Sequence, residues 1–115
     1  MNIRGEHVIL DVKFNNFPND LKDMVNLALN NNKVKVVDYM EHIFEPQGVT
    51  ACWVLAASSF VMHSYPEENY VSMDCYTCDG EGSALRVIDD IVFNYHNNID
   101  KLLLKKLNRG DLWIK

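Results

Sequence analysis

The sequence predicts an α+β protein, a two-layer sandwich in which a mostly antiparallel sheet carries two helices packed on one face. Runs of β-branched and aromatic residues follow one another with short connections, as in an antiparallel meander. Two other stretches have apolar residues at helical spacing. With 115 residues, of which 48% are hydrophobic, the chain has the size of one domain, so we expect a single domain over residues 1–115.

The first third of the chain reads as strand, helix and strand. Residues 7–14 (HVILDVKF) alternate as a half-buried strand does. Apolar residues at helical spacing then run through 21–29, and three asparagines at 30–32 stop the helix. Residues 33–44 contain a valine cluster typical of a strand, which the proline and glycine of the turn at 45–48 close.

Three more extended runs follow, at 49–57, 60–64 and 70–78, and they complete the meander. Ser83 can then cap a long helix whose broad apolar face ends near Asn108. Residues 112–114 would add a short edge strand or dock on the sheet.

Composition excludes several classes of function. The net charge is −5, with more acidic than basic residues in both halves, so neither half is a basic surface for nucleic acid. No apolar run could span a bilayer, and the start has no secretory hydrophobic region. We therefore expect a cytoplasmic protein without membrane contact. Three cysteines, an odd number, favour reduced thiols over a disulfide framework.

Two short motifs are ambiguous by themselves. Cys75 and Cys78 form a single C-x-x-C motif, and without a second pair a zinc or thioredoxin-like site is disfavoured, so we predict no metal. Ser58 and His63 suggest a nucleophile and a base, but in isolation both are ordinary strand residues. In a regular strand they would face opposite sides, so a shared catalytic role requires a bend or turn near Ser58.

Three blocks together are more specific. They are HIFEPQGVT at 42–50, Ser58 followed by HSYPE at 63–67, and DCYTC at 74–78. In order and spacing they resemble the bacterial and archaeal S-adenosylmethionine decarboxylases, whose patterns are H-x-F-x-P-x-G-V-[ST], E-S-H-x-x-x-H-T-W-P-E and D-x-F-T-C. The resemblance covers about residues 5–107.

The resemblance implies a cofactor made from the chain itself. Decarboxylation of an amino acid needs an electron sink joined to the amine. In this family a serine hydroxyl attacks the preceding carbonyl, the resulting ester is eliminated, and hydrolysis leaves a pyruvoyl group that holds the substrate amine as a Schiff base. Ser58 matches that serine, which implies self-cleavage of the proenzyme between Ala57 and Ser58.

The resemblance also implies roles for other residues. His63 matches the histidine that supports processing, Thr50 the hydroxyl that assists it, and Cys78 the cysteine that returns a proton to the product. The positions that match the family's substrate-binding residues are Phe44, Tyr65 and Glu67. The implied protein is a homodimer of cleaved protomers, with its site near the interface. It would decarboxylate S-adenosylmethionine for spermidine synthesis.

This chain departs from the family pattern at the scissile bond. Ala57 replaces a glutamate and Ser59 replaces a histidine, while Ser64 and Tyr65 replace a threonine and a tryptophan. Ala57 still offers the carbonyl that Ser58 would attack, although Ser59 is an alternative nucleophile. Two other functions therefore stay open: a pyruvoyl-dependent arginine or ornithine decarboxylase on the same scaffold, and an uncleaved binding or regulatory relative.

Overall fold

The computed structural model describes residues 5–78, 82–110 and 114. Over these ranges the chain forms one six-stranded sheet in the order β2-β3-β4-β5-β1-β6, in which all neighbours are antiparallel. The predicted α+β class is confirmed. The elements are β1 (Gly5–Phe14), α1 (Leu21–Asn31), β2 (Val36–Ile43), β3 (Val49–Leu55), β4 (Ser58–Tyr65), β5 (Tyr70–Thr77), α2 (Ser83–Tyr95) and β6 (Ile99–Arg109).

The hydrophobic core lies between the two helices and one face of the sheet. Alternate residues of β1, β3, β4 and β5 point into it, as the period of two requires. Trp53 is fully buried there, and its indole N–H donates to the Asn26 side chain of α1 over 2.8 Å. The largest fully buried side chains are Trp53, Phe60, Leu10, Leu29, Met62, Met73, Ile88 and Ile91.

The other face of the sheet has no helix over it in the described part of the chain, and we refer to it as the open face. It carries the side chains that alternate with the core residues. Several of them are apolar and exposed, including Met40, Val54 and Leu103. Isolated apolar residues are common on surfaces, but several on one sheet face mark a surface that a partner could cover.

The predicted long helix from Ser83 to about Asn108 is wrong. The helix ends at Tyr95, and Ile99–Arg109 forms β6, which pairs with β1 along its length. The leucines and lysines of this segment favour helix, but pairing with β1 outweighs that weak preference. Asn98 fixes the change of direction, because its side chain accepts from the Asn16 N–H and donates to the Asn16 carbonyl.

The start of α2 also differs from the prediction. Gly82, with φ of 82°, is the N-cap, and Ser83 is the first helical residue. The predicted strand or docking segment at 112–114 lies almost entirely outside the described residues. No helix within the described ranges is long and apolar enough to cross a membrane.

Glu6 ties the start of α2 to the sheet. Its carboxylate is buried at the end of β1 and accepts the backbone N–H of Leu85 over 2.9 Å. The ammonium of Lys106 on β6 lies 3.4 Å from the other carboxylate oxygen. Negative charge is favourable at a helix N-terminus, so this single side chain sets where α2 begins relative to β1 and β6.

We expect Glu6→Ala to lower the free energy of unfolding by about 2 kcal/mol, because it leaves the partly buried N–H of Leu85 without its acceptor and removes a favourable charge. Urea unfolding measures the change. Lys106→Gln is the matched control and should lose less than about 1 kcal/mol, since Lys106 is largely exposed. Equal losses in the two variants would contradict this account of Glu6.

Candidate active site

Ser58 follows directly on a tight turn. Leu55 and Ser58 are paired at the ends of β3 and β4, which leaves Ala56 and Ala57 as a two-residue connection. Ala57 has φ of 60°, in the left-handed region that non-glycine residues adopt at a cost of about 1 kcal/mol. The turn lies just before Ser58, and because the strand from Ser58 to His63 is unbroken, it does not bring these two side chains to one face. It places a strained backbone at the bond that the resemblance marks for cleavage.

Ser58 and Cys78 line the same cavity, which has a volume of about 530 Å³ and lies at the end of the sheet. Ala57 also contributes to its wall. Three of the residues that line it are cationic, namely Lys33, Lys35 and Arg86. The cavity therefore combines a hydroxyl, a thiol and positive charge, a set of groups that can react with and hold an anionic small molecule.

The two thiols of the C-x-x-C motif are separated. Cys75 is buried among the core residues, whereas Cys78 is exposed just after β5. The pKa of the Tyr76 hydroxyl is raised, chiefly by hydrogen bonding with Cys78. Among the residues that the structure describes, no group of three histidine, cysteine or acidic side chains could hold a metal ion.

A second cluster lies farther along β4. Thr50 and His63 are paired across β3 and β4, and the Thr50 hydroxyl is 3.2 Å from Nδ1 of His63. This contact fixes the orientation of the imidazole on the open face. The Tyr65 ring stacks on Tyr70 at a centroid distance of 5.4 Å, which fixes the orientation of Tyr65.

Two turns place Phe44 and Glu67, the remaining predicted residues, in this second cluster. The Phe44 N–H donates to the Gly48 carbonyl over 2.9 Å, which closes the turn after β2. Gly48 is required there, because its φ is 105° and a Cβ would lie 3.1 Å from the Ser64 carbonyl oxygen. A 3₁₀ turn at Pro66–Glu68 positions Glu67. The resulting cavity of about 230 Å³ is lined by Phe44, Gln47, Val49, Thr50, His63, Tyr65 and Glu67.

The structure thus brings the predicted residues together in two clusters rather than one. Ser58 and His63 are five residues apart on an unbroken strand, roughly 16 Å at ~3.3 Å per residue. By the alternation of β4, Ser58 points to the helix side and His63 to the open face. Ser59 shares the face of His63 but is four residues away from it. Within one chain, His63 cannot reach the hydroxyl of either serine.

Sequence reasoning missed one feature of the first cluster. The cationic residues of the cavity come from two separate segments, and only the fold joins them. Ser64, by contrast, has a structural role, because its buried hydroxyl accepts the Val49 N–H over 2.9 Å.

The fold and these residues define a class: a two-layer α+β protein with a serine and a cysteine at the end of its sheet and a histidine-aromatic-carboxylate cluster on its open face. Residues 7–108 match the family model described as S-adenosylmethionine decarboxylase. The chain belongs to that family.

Individual relatives agree with this assignment. The chain is 34% identical over 112 residues to S-adenosylmethionine decarboxylase proenzyme 2 of a Bacillus cereus strain, covering 92% of this chain and 89% of that one. It is 36% identical over 109 residues to an S-adenosylmethionine decarboxylase proenzyme from Bacillus velezensis, covering 87% and 86%. The crystal structure of the adenosylmethionine decarboxylase of Aquifex aeolicus has the same fold, with a TM-score of 0.80, 21% identity and coverage of 100% and 98%.

We expect Ala57→Gly to raise the free energy of unfolding of the uncleaved chain by about 1 kcal/mol, because glycine adopts a φ of 60° without strain. Urea unfolding of proteins that also carry Ser58→Ala measures this without interference from cleavage. Ala56→Gly is the matched control: Ala56 has no positive φ, so glycine there should lower stability by about 0.5 to 1 kcal/mol. A loss at both positions would argue against strain at Ala57.

Proposed function

We propose that this protein cleaves itself between Ala57 and Ser58, forms a pyruvoyl group from Ser58, and decarboxylates S-adenosylmethionine. The observation that carries the proposal is the strained turn at Ala57, which leads into a cavity shared by Ser58 and Cys78. Family membership supplies the reaction class. The reaction would take place in the cytoplasm, and the product would donate its aminopropyl group in the synthesis of spermidine.

In the processing step, the Ser58 hydroxyl attacks the carbonyl carbon of Ala57, and the amide becomes an ester. A base then removes the Ser58 α-proton, the two chains separate at that position, and hydrolysis releases ammonia. Strain favours the first step, because breaking the Ala57–Ser58 bond releases the unfavourable backbone conformation. The side chain at 57 takes no part, so alanine in place of glutamate leaves the reacting atoms unchanged.

The residues around Ser58 suit a pyruvoyl group. The cavity extends beyond the serine side chain and also reaches the thiol of Cys78. When formed, the group supplies a ketone that binds the substrate amine and accepts the electrons released with carbon dioxide. Cys78 would then return a proton at the carbon that lost the carboxylate, since a thiol on an exposed position can exchange its proton with water.

The charges of the two clusters complement S-adenosylmethionine. This substrate carries a carboxylate at the amino-acid end and a sulfonium cation between that end and the adenosine. The first cavity has cationic walls, and the second combines Glu67 with the aromatic rings of Phe44 and Tyr65. A carboxylate and aromatic faces attract a sulfonium cation and can stack on a purine. Arginine and ornithine carry a cation that could contact these rings, but neither has a purine to stack on them.

We propose that a homodimer completes the site. Because His63 and Ser58 of one chain lie roughly 16 Å apart and face opposite sides, the His63 cluster of a second copy would have to cover the Ser58 cluster of the first. The exposed apolar residues of the open face support such pairing, as does the exposure of Phe44 and Tyr65. Each dimer would then hold two equivalent sites.

The first test is the intact mass of the purified protein under denaturing conditions. We expect the 13.3 kDa chain to be replaced by residues 1–57 and 58–115, the second lighter by one ammonia than a chain that starts with serine. Ser58→Ala should abolish cleavage, and Ser59→Ala, the matched control, should leave its position unchanged. The cleaved protein should release carbon dioxide from S-adenosylmethionine far faster than from arginine or ornithine. A stable uncut chain would instead support the binding or regulatory relative.

Mixing two inactive variants tests the shared site. Ser58→Ala and His63→Ala proteins should each stay uncut alone. When co-expressed, a mixed dimer has one site with both native residues, so we expect the His63→Ala chains to become cleaved while the Ser58→Ala chains stay intact. Mass spectrometry reads both outcomes in one sample. If the mixture stays uncut while wild-type protein cleaves, each site is built within a single chain.

A further inference from the structure

Two residues with a left-handed backbone line the cavity that contains Ser58. Lys33 has φ of 59° and Ala57 has φ of 60°. Lys33 follows Asn32, the C-cap of α1, at a position where glycine or asparagine is usual because both adopt this conformation more readily than lysine. Residues in unfavourable backbone conformations cluster at functional sites. Ala57 precedes the scissile bond, so the side chain of Lys33 is the candidate for a second role in the same cavity.

The connection between α1 and β2, which carries Lys33 and Lys35, is held against the turn between β3 and β4. The Ala56 N–H donates to the Lys35 carbonyl over 3.4 Å. Val36 pairs with Leu55 where β2 meets β3. Both lysine side chains therefore belong to the wall of the cavity on the side of the turn that contains the scissile bond.

The cavity has the chemical character of a site for an anion. Neither ammonium group of Lys33 and Lys35 has an acidic partner in the described ranges. The lining residues that the structure describes include no acidic side chain. They do include Thr77 and Ser83, whose buried hydroxyls find no hydrogen-bond partner within residues 5–78 and 82–110. Buried hydroxyls are usually paired, and an anion in this cavity would offer acceptors to donors that otherwise have none.

The cleavage proposed above creates an anion beside these lysines. Once the Ser58 hydroxyl has formed an ester with Ala57, a base takes the α-proton of residue 58 and the bond between its Cβ and the ester oxygen breaks. The electron pair stays on that oxygen, so Ala57 ends in a carboxylate while residue 58 becomes dehydroalanine. A full negative charge thus appears where the uncleaved chain has a neutral amide.

We propose that Lys33 and Lys35 stabilise the Ala57 carboxylate as it leaves in this elimination, a role that rests on the self-cleavage proposed above. Positive charge placed where negative charge develops lowers the barrier of that step. The same ammonium groups then hold the new end of the first chain against the connection between α1 and β2. Alanine at 57 suits this role, because the glutamate of the family pattern would place a second carboxylate in competition for the two lysines.

The test measures cleavage in wild-type protein, Lys33→Gln, Lys35→Gln and the double variant, each made by cell-free synthesis and quenched in denaturant at successive times. Intact mass gives the cleaved fraction. Hydroxylamine added after quenching cuts chains that have stopped at the ester and leaves a hydroxamate on Ala57. We expect cleavage to be slower by about three- to fivefold in the single variants and by about tenfold in the double variant, with ester accumulating, since each removes one exposed charge.

Two controls and a salt series accompany these variants. Lys33→Arg keeps the charge and should cleave within about twofold of wild type. Lys22→Gln is the matched control and should also stay within about twofold, because it removes an exposed lysine that pairs with Glu41 over 3.1 Å and lies outside the described wall of this cavity. Added salt should slow cleavage of wild-type protein more than that of the double variant, because salt screens the attraction between exposed charges.

Three results would overturn the role of the lysines. The first is a double variant that cleaves at the wild-type rate without accumulating ester. The second is unchanged cleavage with a raised KM for S-adenosylmethionine in the cleaved double variant, which would assign the charges to the substrate carboxylate. The third is a lower free energy of unfolding of Lys33→Gln in Ser58→Ala protein with unchanged cleavage, which would mean that Lys33 only stabilises the end of α1.

A wild-type chain that stays uncut would overturn the proposed self-cleavage and the role of the lysines with it. The two failures are distinguishable, because failure of the inference alone leaves wild-type cleavage intact.

Discussion

The regular pairing of β4 is the constraint on which the rest of the structure depends. It pairs without a register shift from Ser58 to Ser64 with β3 and from Ser59 to Tyr65 with β5. That pairing buries Phe60 and Met62 in the core and leaves His63 on the open face. A slip of one residue would reverse every one of these side chains. The core and the candidate site are therefore fixed by the same hydrogen bonds, and the site cannot be moved without unfolding the sheet.

The order of the strands explains how a chain cut after residue 57 could remain one folded unit. Cleavage there would give one fragment with β1, α1, β2 and β3, and another with β4, β5, α2 and β6. In the sheet, β1 lies between β5 and β6, and β3 is paired with β4. The two fragments are thus interleaved, and separating them would break three strand interfaces and the common core. The turn between β3 and β4 is therefore a place where the backbone could be cut without releasing an element from the sheet.

Sequence patterns predicted the strands, turns and helix ends that depend only on residues close together in the chain. The turn ending in Gly48 and the alternation through β1 identify strands without knowledge of their neighbours, and the asparagines after α1 end that helix. β6 could not be recognised in this way, because its leucines and lysines favour helix and only the free edge of β1 makes it a strand. The candidate site likewise has features that the sequence predicts and features that only the fold reveals. Motif spacing selected the candidate residues. Their separation into two clusters follows from the alternation of side chains along β4, which can be applied only once the strand is known to be unbroken.

Two positions at which this chain departs from the family pattern are neighbours in the sheet. Ser59 lies where the family pattern has a histidine, and Tyr76 where it has a phenylalanine, and these two residues are directly paired across β4 and β5. Paired residues on one face are ~4.5–5.5 Å apart at Cβ, so a smaller side chain on one strand leaves room for a larger one opposite. Ser59 and Tyr76 both lie on the open face of the sheet, the face of His63, whereas Ser58 points to the helix side. The side chain at position 59 is therefore directed away from the cavity that Ser58 and Cys78 line, so a change there alters the surface beside His63 rather than the wall of that cavity.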